Sequence, residues 1–421
     1  MDIAGIFIVL VMKEVVSYGT STYDKMPYHT SALTGEMWVT ELLRGHPERI
    51  RNELGVHKHI FLSLCTDLHR YGHRDSKTLS LEEQLAIFLY TCVTGFSIRH
   101  VSKRFQHATD TTSRYESHIF SFSILITTTF YRYFLKMLVI FSSPPLYTNF
   151  IRPPKVSDPI PEYIFNNPKL YPFFEDALGA IDGSHFNTFA ASNRDALCDH
   201  NGALTTNALA ICDFSMHFLH TQSGWEGSVA DAQMFHDSRF TDLSIPDGKY
   251  FLADAGFPTC STLLVPYCGA RYHLSEWGHA QLRYGTTTIW IYLQLTLYRP
   301  ATWEELFNLQ HARARNVIER AFGVIKRRFK ILVIPPEYSM DVQARIFPTL
   351  AAIHNCILER DPIEIADILP PSDDGIDVED RGQLATEYPG QAEKDRANAR
   401  REEIAESMWN NYQTVLRKWN L

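Results

Sequence analysis

Three short apolar runs, each followed at once by an aspartate, constrain the fold of this chain more than any other feature. They are residues 177–181 before Asp182, 208–212 before Asp213 and 250–253 before Asp254. Apolar runs of four or five residues between acidic residues, Gly and Pro are typical of central β-strands. A fourth run, 216–221, is followed by a helix start at 227–231, and a basic helix occupies 315–329. Strands alternating with helices predict an α/β sandwich.

The chain before this region predicts helices only. Residues 81–90 have apolar side chains at helical spacing, and Ser80 with Glu83 forms a capping box at their start. A glycine ends this helix, a short basic helix follows at 98–105, and a polar helix begins at 108–114. This order is typical of a helix-turn-helix unit that binds DNA. A plain three-helix packing unit is the alternative interpretation.

Composition narrows the class of protein. The 421 residues are 45% hydrophobic, which is enough for a full core without disulfides or a structural metal. A balance of 40 basic against 48 acidic residues excludes a uniformly basic nucleic-acid binder but allows a basic stripe on one face. The 7 cysteines are scattered, which predicts a reducing compartment, nucleus or cytoplasm. The apolar run 3–12 is too short for a membrane anchor.

Three carboxylates stand at positions suited to chemistry. Asp182 and Asp254 follow predicted strands, where α/β sheets hold their ligands, and Glu319 lies on the basic helix. Carboxylate oxygens are preferred ligands of Mg²⁺ and Mn²⁺. Two such ions about 4 Å apart activate a water or a DNA 3′-hydroxyl and stabilise the leaving oxygen. The alternative is that both aspartates are turn residues and that Glu319 pairs with an arginine on the helix surface.

Five segments of the chain carry motifs of one known family, in the order of that family. They are residues 177–185 (ALGAIDGSH), 224–231 (GWEGSVAD), 250–258 (YFLADAGFP), 266–273 (PYCGARYH) and 315–329 (RNVIERAFGVIKRRF). Together they resemble the nuclease domain of PIF/Harbinger-type transposases, over about residues 158–361. Residues 31–114 also resemble the N-terminal helical region of fungal members, including domesticated Harbinger-like proteins.

The resemblance implies an RNase H-like α/β fold, a mixed sheet flanked by helices, with a catalytic DDE triad. The triad falls on Asp182, Asp254 and Glu319, which would bind two divalent ions, Mg²⁺ or Mn²⁺, and cleave or transfer DNA strands. Asp231 would support the metal site, although it could equally be a capping acid at a helix start. His185 would contact a phosphate or a metal-bound water, unless its role is a structural hydrogen bond.

Basic residues around these acids are candidate DNA contacts, because phosphate contacts carry most non-specific affinity for DNA. The candidates are Arg271, Arg315, Arg320, Lys326 and Arg327. Solvated surface charge is the alternative for the four on the helix. Arg271 lies between Tyr267 and Tyr272, which could stack on DNA or pack in the core.

The chain departs from the family in three segments. Residues 198–202 lack the basic residues that relatives usually carry there. Two further segments, 115–132 and 284–299, interrupt the family pattern, and each begins with Tyr after Arg and ends in Tyr-Arg. We interpret both as retained intron sequence. A genuine insertion is the alternative, and sequencing the transcript distinguishes them.

The sequence thus predicts four parts: an N-terminal extension at 1–30, a helix-turn-helix-like domain at 31–157, an RNase H-like nuclease domain at 158–362, and an acidic linker with a C-terminal helix at 363–421. The predicted function is a metal-dependent DNA endonuclease of the transposase type. The alternative is a domesticated, inactive DNA-binding or scaffold protein that acts through a Myb/SANT-like partner. Either function predicts a nuclear protein, with the cytoplasm as a second location, that binds DNA and no membrane.

Overall fold

A computed structural model describes residues 12–13, 30–107, 129–189, 197, 202–241, 243–272, 299–362 and 390–418. Several sequence predictions fall outside these residues. They are the polar helix at 108–114, most of the two inserts (115–128 and 284–298), the segment 198–201, and the acidic linker at 363–389.

Helices make up the part of the described chain that precedes the sheet. They are α1 (Gly35–Arg44), α2 (Pro47–Leu54), α3 (Lys58–Arg70), α4 (Leu81–Thr94), α5 (Ile98–Phe105), α6 (Thr129–Phe141), α7 (Leu146–Phe150) and α8 (Glu162–Phe165). The predicted start of α4 is confirmed, because the Ser80 hydroxyl accepts a hydrogen bond from the Glu83 amide at 3.2 Å. Gly95 ends α4 in the left-handed conformation, at φ 65°.

A five-stranded mixed sheet forms the centre of the second half of the chain. Its strands are β1 (Ala177–Asn187), β2 (Thr205–Cys212), β3 (Phe218–Glu226), β4 (Tyr250–Leu252) and β5 (Leu263–Leu264), in the spatial order β3-β2-β1-β4-β5. The first three strands along the chain are antiparallel, and β4 and β5 run parallel to β1. This mixed sheet is consistent with an RNase H-like domain.

The prediction that β1 ends before Asp182 is wrong. The strand continues to Asn187, because residues 180–187 remain paired with β2 after the parallel pairing with β4 has ended at Ala180. Asp182 therefore lies within a strand, at the point where β1 loses its neighbour on one side.

The remaining helices pack on the sheet or on one another. They are α9 (Asp231–Thr241), α10 (Trp303–Arg328), a 3₁₀ turn (Lys330–Leu332), α11 (Met340–Arg360) and α12 (Gln391–Lys418). Helix α10 packs on β1, α11 packs on β3, and α12 packs along α10. Within the described part of the chain, no helix is both long and apolar enough to span a membrane.

One hydrophobic core joins the early helices to the sheet and its covering helices. Phe134 of α6 connects them directly, since its ring centroid lies 5.5 Å from that of Phe88 and 5.0 Å from that of Tyr338. The turn at Gly95 lies against the 3₁₀ turn, where a β-carbon on the glycine would be 3.3 Å from the carbonyl carbon of Lys330. The helical region is therefore packed directly on the nuclease region.

His354 of α11 gives this core a predictable sensitivity to acid. Its Nε2 lies 3.1 Å from the carbonyl oxygen of Met216, and burial, reinforced by Arg328, lowers the pKa of His354 to about 3. An unfolded histidine has a pKa near 6.5, so the unfolded chain binds the extra proton first as the pH falls. The stability that the neutral ring provides is therefore lost between pH 6.5 and 3, by up to about 1.4 kcal/mol per pH unit.

We expect His354→Gln to lower the free energy of unfolding at pH 7 but to flatten its decline between pH 6.5 and 4.5. Urea denaturation at several pH values measures both quantities. Parallel pH profiles for the variant and the wild type would contradict the buried neutral state of His354.

Candidate active site

The register of two parallel strands places Asp182 and Asp254 side by side. Ala180 of β1 is paired with Leu252 of β4, and each aspartate follows its paired residue by two positions. Residues two apart on a strand point to the same face, and neighbouring strands lie about 4.8 Å apart. The two carboxylates therefore leave the sheet on one face, just beyond the point where the parallel pairing of β1 and β4 ends.

Glu319 reaches the same place from α10, which packs on β1. Arg315, one helical turn before it, joins the two elements. Its Nη1 donates to Asp182 Oδ2 at 2.9 Å, its Nη2 donates to Glu319 Oε1 at 2.5 Å, and its Nε donates to the Tyr272 hydroxyl at 2.9 Å. Arg315 is only 8% exposed, so this cation is held inside the site.

Asp231, the first residue of α9, supplies a fourth acid. Its Oδ1 accepts a hydrogen bond from Asn207 Nδ2 at 2.9 Å, and the residue is buried. Its carboxylate lies against the backbone of Gly183, where even a β-carbon would overlap it. The glycine that follows Asp182 therefore leaves the space that Asp231 fills.

The charges of these groups act on one another. Burial raises the pKa of Asp182; Arg315 opposes that shift, and Asp254, Asp231 and Glu319 reinforce it. Burial also disfavours the charged form of Arg315, but Tyr272 and the carboxylates together raise the pKa of the guanidinium well above its usual value. Arg315 is therefore a permanent cation among the acids.

A carboxylate-only donor set is chemically suited to Mg²⁺ or Mn²⁺, which prefer hard oxygen ligands. Within the residues that the structure describes, however, no three acidic, histidine or cysteine side chains stand close enough together to hold a metal ion as they are. Asp182 and Glu319 instead converge on a guanidinium.

Two other predicted site residues, Lys326 and His185, form hydrogen bonds with residues of the sheet next to this cluster. Lys326 donates to Ser184 Oγ at 2.8 Å and to the His185 carbonyl at 2.9 Å, and burial lowers the pKa of Lys326 to about 8 against the opposing effect of Asp182. His185 Nδ1 lies 3.1 Å from the Thr205 hydroxyl.

The remaining predicted DNA contacts differ in exposure. Arg320 is half-buried and Arg327 is exposed, both on α10. Arg271 forms a bidentate salt bridge with Glu305. Its Nε donates to Oε1 at 2.9 Å, and its Nη2 donates to Oε2 at 2.8 Å.

Sequence reasoning did not find the polar network behind Arg315. His311, one turn before Arg315 on α10, is 3.4 Å from the Tyr272 hydroxyl through Nδ1 and 2.8 Å from the Leu264 carbonyl through Nε2. The spacing of residues 311, 315 and 319 was the available signal, because polar residues four apart share one face of a helix.

Two parts of the chain match known protein families. Residues 30–124 match a family described as a domain of unknown function, and residues 181–355 match the DDE superfamily endonuclease family. No solved structure matches the chain significantly.

Two curated proteins are similar to part of the chain. The protein named "Putative nuclease HARBI1" of Rattus norvegicus is 22% identical over 190 residues, and its counterpart of Homo sapiens is 21% identical over 190 residues. The similar region is 44% of this chain and 46% of each relative, so the chain spans about half the length of the curated relatives it matches. These findings support the predicted resemblance to Harbinger-type DDE transposases: residues 181–355 match the DDE superfamily endonuclease family, and part of the chain is similar to two proteins named as HARBI1 nucleases.

Proposed function

We propose that this protein is a divalent-metal-dependent DNA endonuclease in which Asp182, Asp254 and Glu319 form the catalytic triad. One observation carries the proposal. The segment after β4, helix α10 and the start of α9 bring Asp254, Glu319 and Asp231 close enough to Asp182 on β1 for each of them to raise the pKa of Asp182. Isolated turn or surface acids have no reason to meet in this way.

The proposed mechanism assigns each acid a part. Asp182, Asp254 and Glu319 would hold Mg²⁺ or Mn²⁺, which when bound activates a water or 3′-hydroxyl and stabilises the leaving oxygen of a phosphodiester. Asp231 adds negative charge beside β1, and its hydrogen bond from Asn207 fixes its direction. Lys326 brings a cation to Ser184 and His185, directly after Asp182 on β1.

The exposed side of α10 provides a path for DNA next to these acids. Glu319, Arg320 and Arg327 are at least partly exposed, and Lys330 follows the helix as an exposed residue. At 1.5 Å per residue, the helical stretch from 319 to 328 covers about 14 Å, several phosphates of a DNA backbone. Gly95, at the turn before α5, packs on the backbone of Lys330. The path for DNA therefore continues toward α5, whose basic residues include exposed Arg99 and Lys103.

Arg327→Gln tests this path. We expect weaker binding to DNA of any sequence, and a plot of log affinity against log salt concentration whose slope is lower by about one charge. Fluorescence anisotropy with a labelled duplex at several salt concentrations measures both. Arg345→Gln removes the same charge from an exposed position on α11 and should leave the slope unchanged. Equal slopes in all three proteins would place Arg327 outside the DNA path.

Plasmid nicking tests the function itself. We expect the wild type to nick supercoiled DNA with Mg²⁺ or Mn²⁺ and to stop when EDTA is added, and we expect Glu319→Gln to be inactive. Nicking that survives in Glu319→Gln would count against Glu319 as a catalytic residue. DNA binding without any cleavage would instead favour the domesticated, inactive protein. The Myb/SANT-like partner and the nuclear location are parts of this proposal that pull-down and imaging experiments can test.

A further inference from the structure

Arg315 is a buried cation at the centre of the acidic cluster. Its two terminal nitrogens bind Asp182 and Glu319, which come from different elements and are 137 positions apart in the sequence. Both carboxylates belong to the proposed metal site. The same two side chains therefore face either a guanidinium or a divalent cation.

A hydrogen-bonded chain holds Arg315 from behind. Burial lowers the pKa of His311 to about 3, so its ring is neutral. Since a carbonyl can only accept, Nε2 carries the proton and donates to Leu264, which leaves Nδ1 to accept from the Tyr272 hydroxyl. The Tyr272 oxygen in turn accepts from Arg315 Nε at 2.9 Å. The guanidinium fork is thereby aimed at the two carboxylates.

Charge balance explains why the fold needs this cation. Buried carboxylates close to one another repel, and removing them from water costs several kcal/mol each unless they are paired. A guanidinium that binds two of them lowers that cost without an ion. A divalent cation between the same carboxylates meets a positive charge already in place, and like charges disfavour such a state.

We propose that Arg315 is the built-in counter-ion of the acidic cluster: it neutralises Asp182 and Glu319 in the metal-free protein and releases at least one of them when a divalent cation binds. This inference rests on the proposed function, since it takes these acids as metal ligands. It adds that a residue of the chain competes with the metal and sets its affinity.

Mn²⁺ binding to the full-length protein, measured without DNA by electron paramagnetic resonance of the free ion, tests the proposal. We expect Arg315→Gln to bind Mn²⁺ about tenfold more tightly than the wild type, within the usual range for coupled sites. Without metal, the same variant should melt at a lower temperature than the wild type. Added Mn²⁺ should raise its melting temperature by more than it raises that of the wild type. Arg313→Gln, which removes an exposed charge from the same helix, should match the wild type in affinity and melting temperature.

Two further variants keep the test decisive if Arg315→Gln does not fold. Arg315→Lys retains the charge but loses the fork, and Tyr272→Phe removes the anchor behind Arg315, so both should also bind Mn²⁺ more tightly. Unchanged or weaker binding in every folded variant would overturn the inference and leave the nuclease proposal standing. If neither the wild type nor any variant binds Mn²⁺, the inference and the proposed metal-dependent function both fail.

Discussion

Replacing Asp182 with asparagine is expected to reduce metal-dependent DNA cleavage by about a thousandfold while the protein stays folded. The carboxylates of Asp254, Asp231 and Glu319 all raise the pKa of Asp182. Asp182 itself lies on β1, the strand at the centre of the sheet. The amide has the shape of the carboxylate but not its charge, so it is a poor ligand for a hard cation. A metal ion contributes several kcal/mol to stabilising the transition state, and each 1.4 kcal/mol is worth about tenfold in rate.

The fold should tolerate this substitution because burial raises the pKa of Asp182, which means that the folded protein disfavours the charge. The asparagine oxygen can still accept the hydrogen bond from Arg315, and Glu319 still pairs with the same guanidinium. Plasmid nicking and thermal melting, run on one preparation, measure both effects. Asp176→Asn is the matched control, since this exposed acid directly before β1 forms a surface salt bridge with Lys249 at 2.9 Å. Cleavage by Asp182→Asn within tenfold of the wild type would remove Asp182 from the triad.

The sequence was most informative where a local rule decides the structure. A run such as 250–253 is apolar and short because β4 is buried on both faces, and Asp254 follows where the burial ends. The adjacency of Asp182 and Asp254 then follows from parallel pairing alone. The start of α4 was equally predictable, since Ser80 satisfies a backbone amide that the helix leaves unpaired.

The sequence was least informative where the partner of a residue is distant in the chain. The extension of β1 past Asp182 depends on β2, whose pairing holds the polar residues of that segment in a strand. The role of Arg315 depends on Asp182 and Tyr272, which no spacing rule connects to it. A cation within a basic helix therefore suggested contact with phosphate, whereas its side chain points into the acidic cluster.

Gly183→Ala is the second substitution with a large expected effect. The added methyl group would occupy the space of the Asp231 carboxylate, which is buried and held by Asn207. Overpacking of this kind typically costs about 1–3 kcal/mol of stability, and a displacement of about 1 Å in an active site can cost a hundredfold in rate. We therefore expect a lower free energy of unfolding and roughly a hundredfold slower cleavage, measured by urea denaturation and by plasmid nicking.

Two comparisons identify the cause of that loss. In the Gly183→Ala background, Asp231→Ala removes the group that the methyl strikes, so the double variant should be more stable than the two separate losses added together would predict. Gly323→Ala adds the same methyl in the middle of α10, where nothing lies within 4 Å, and should stabilise the protein by up to about 1 kcal/mol. Strictly additive effects of Gly183→Ala and Asp231→Ala would contradict the contact. Because that contact places Asp231 against the strand of Asp182, additivity would also count against Asp231 as part of the proposed metal site.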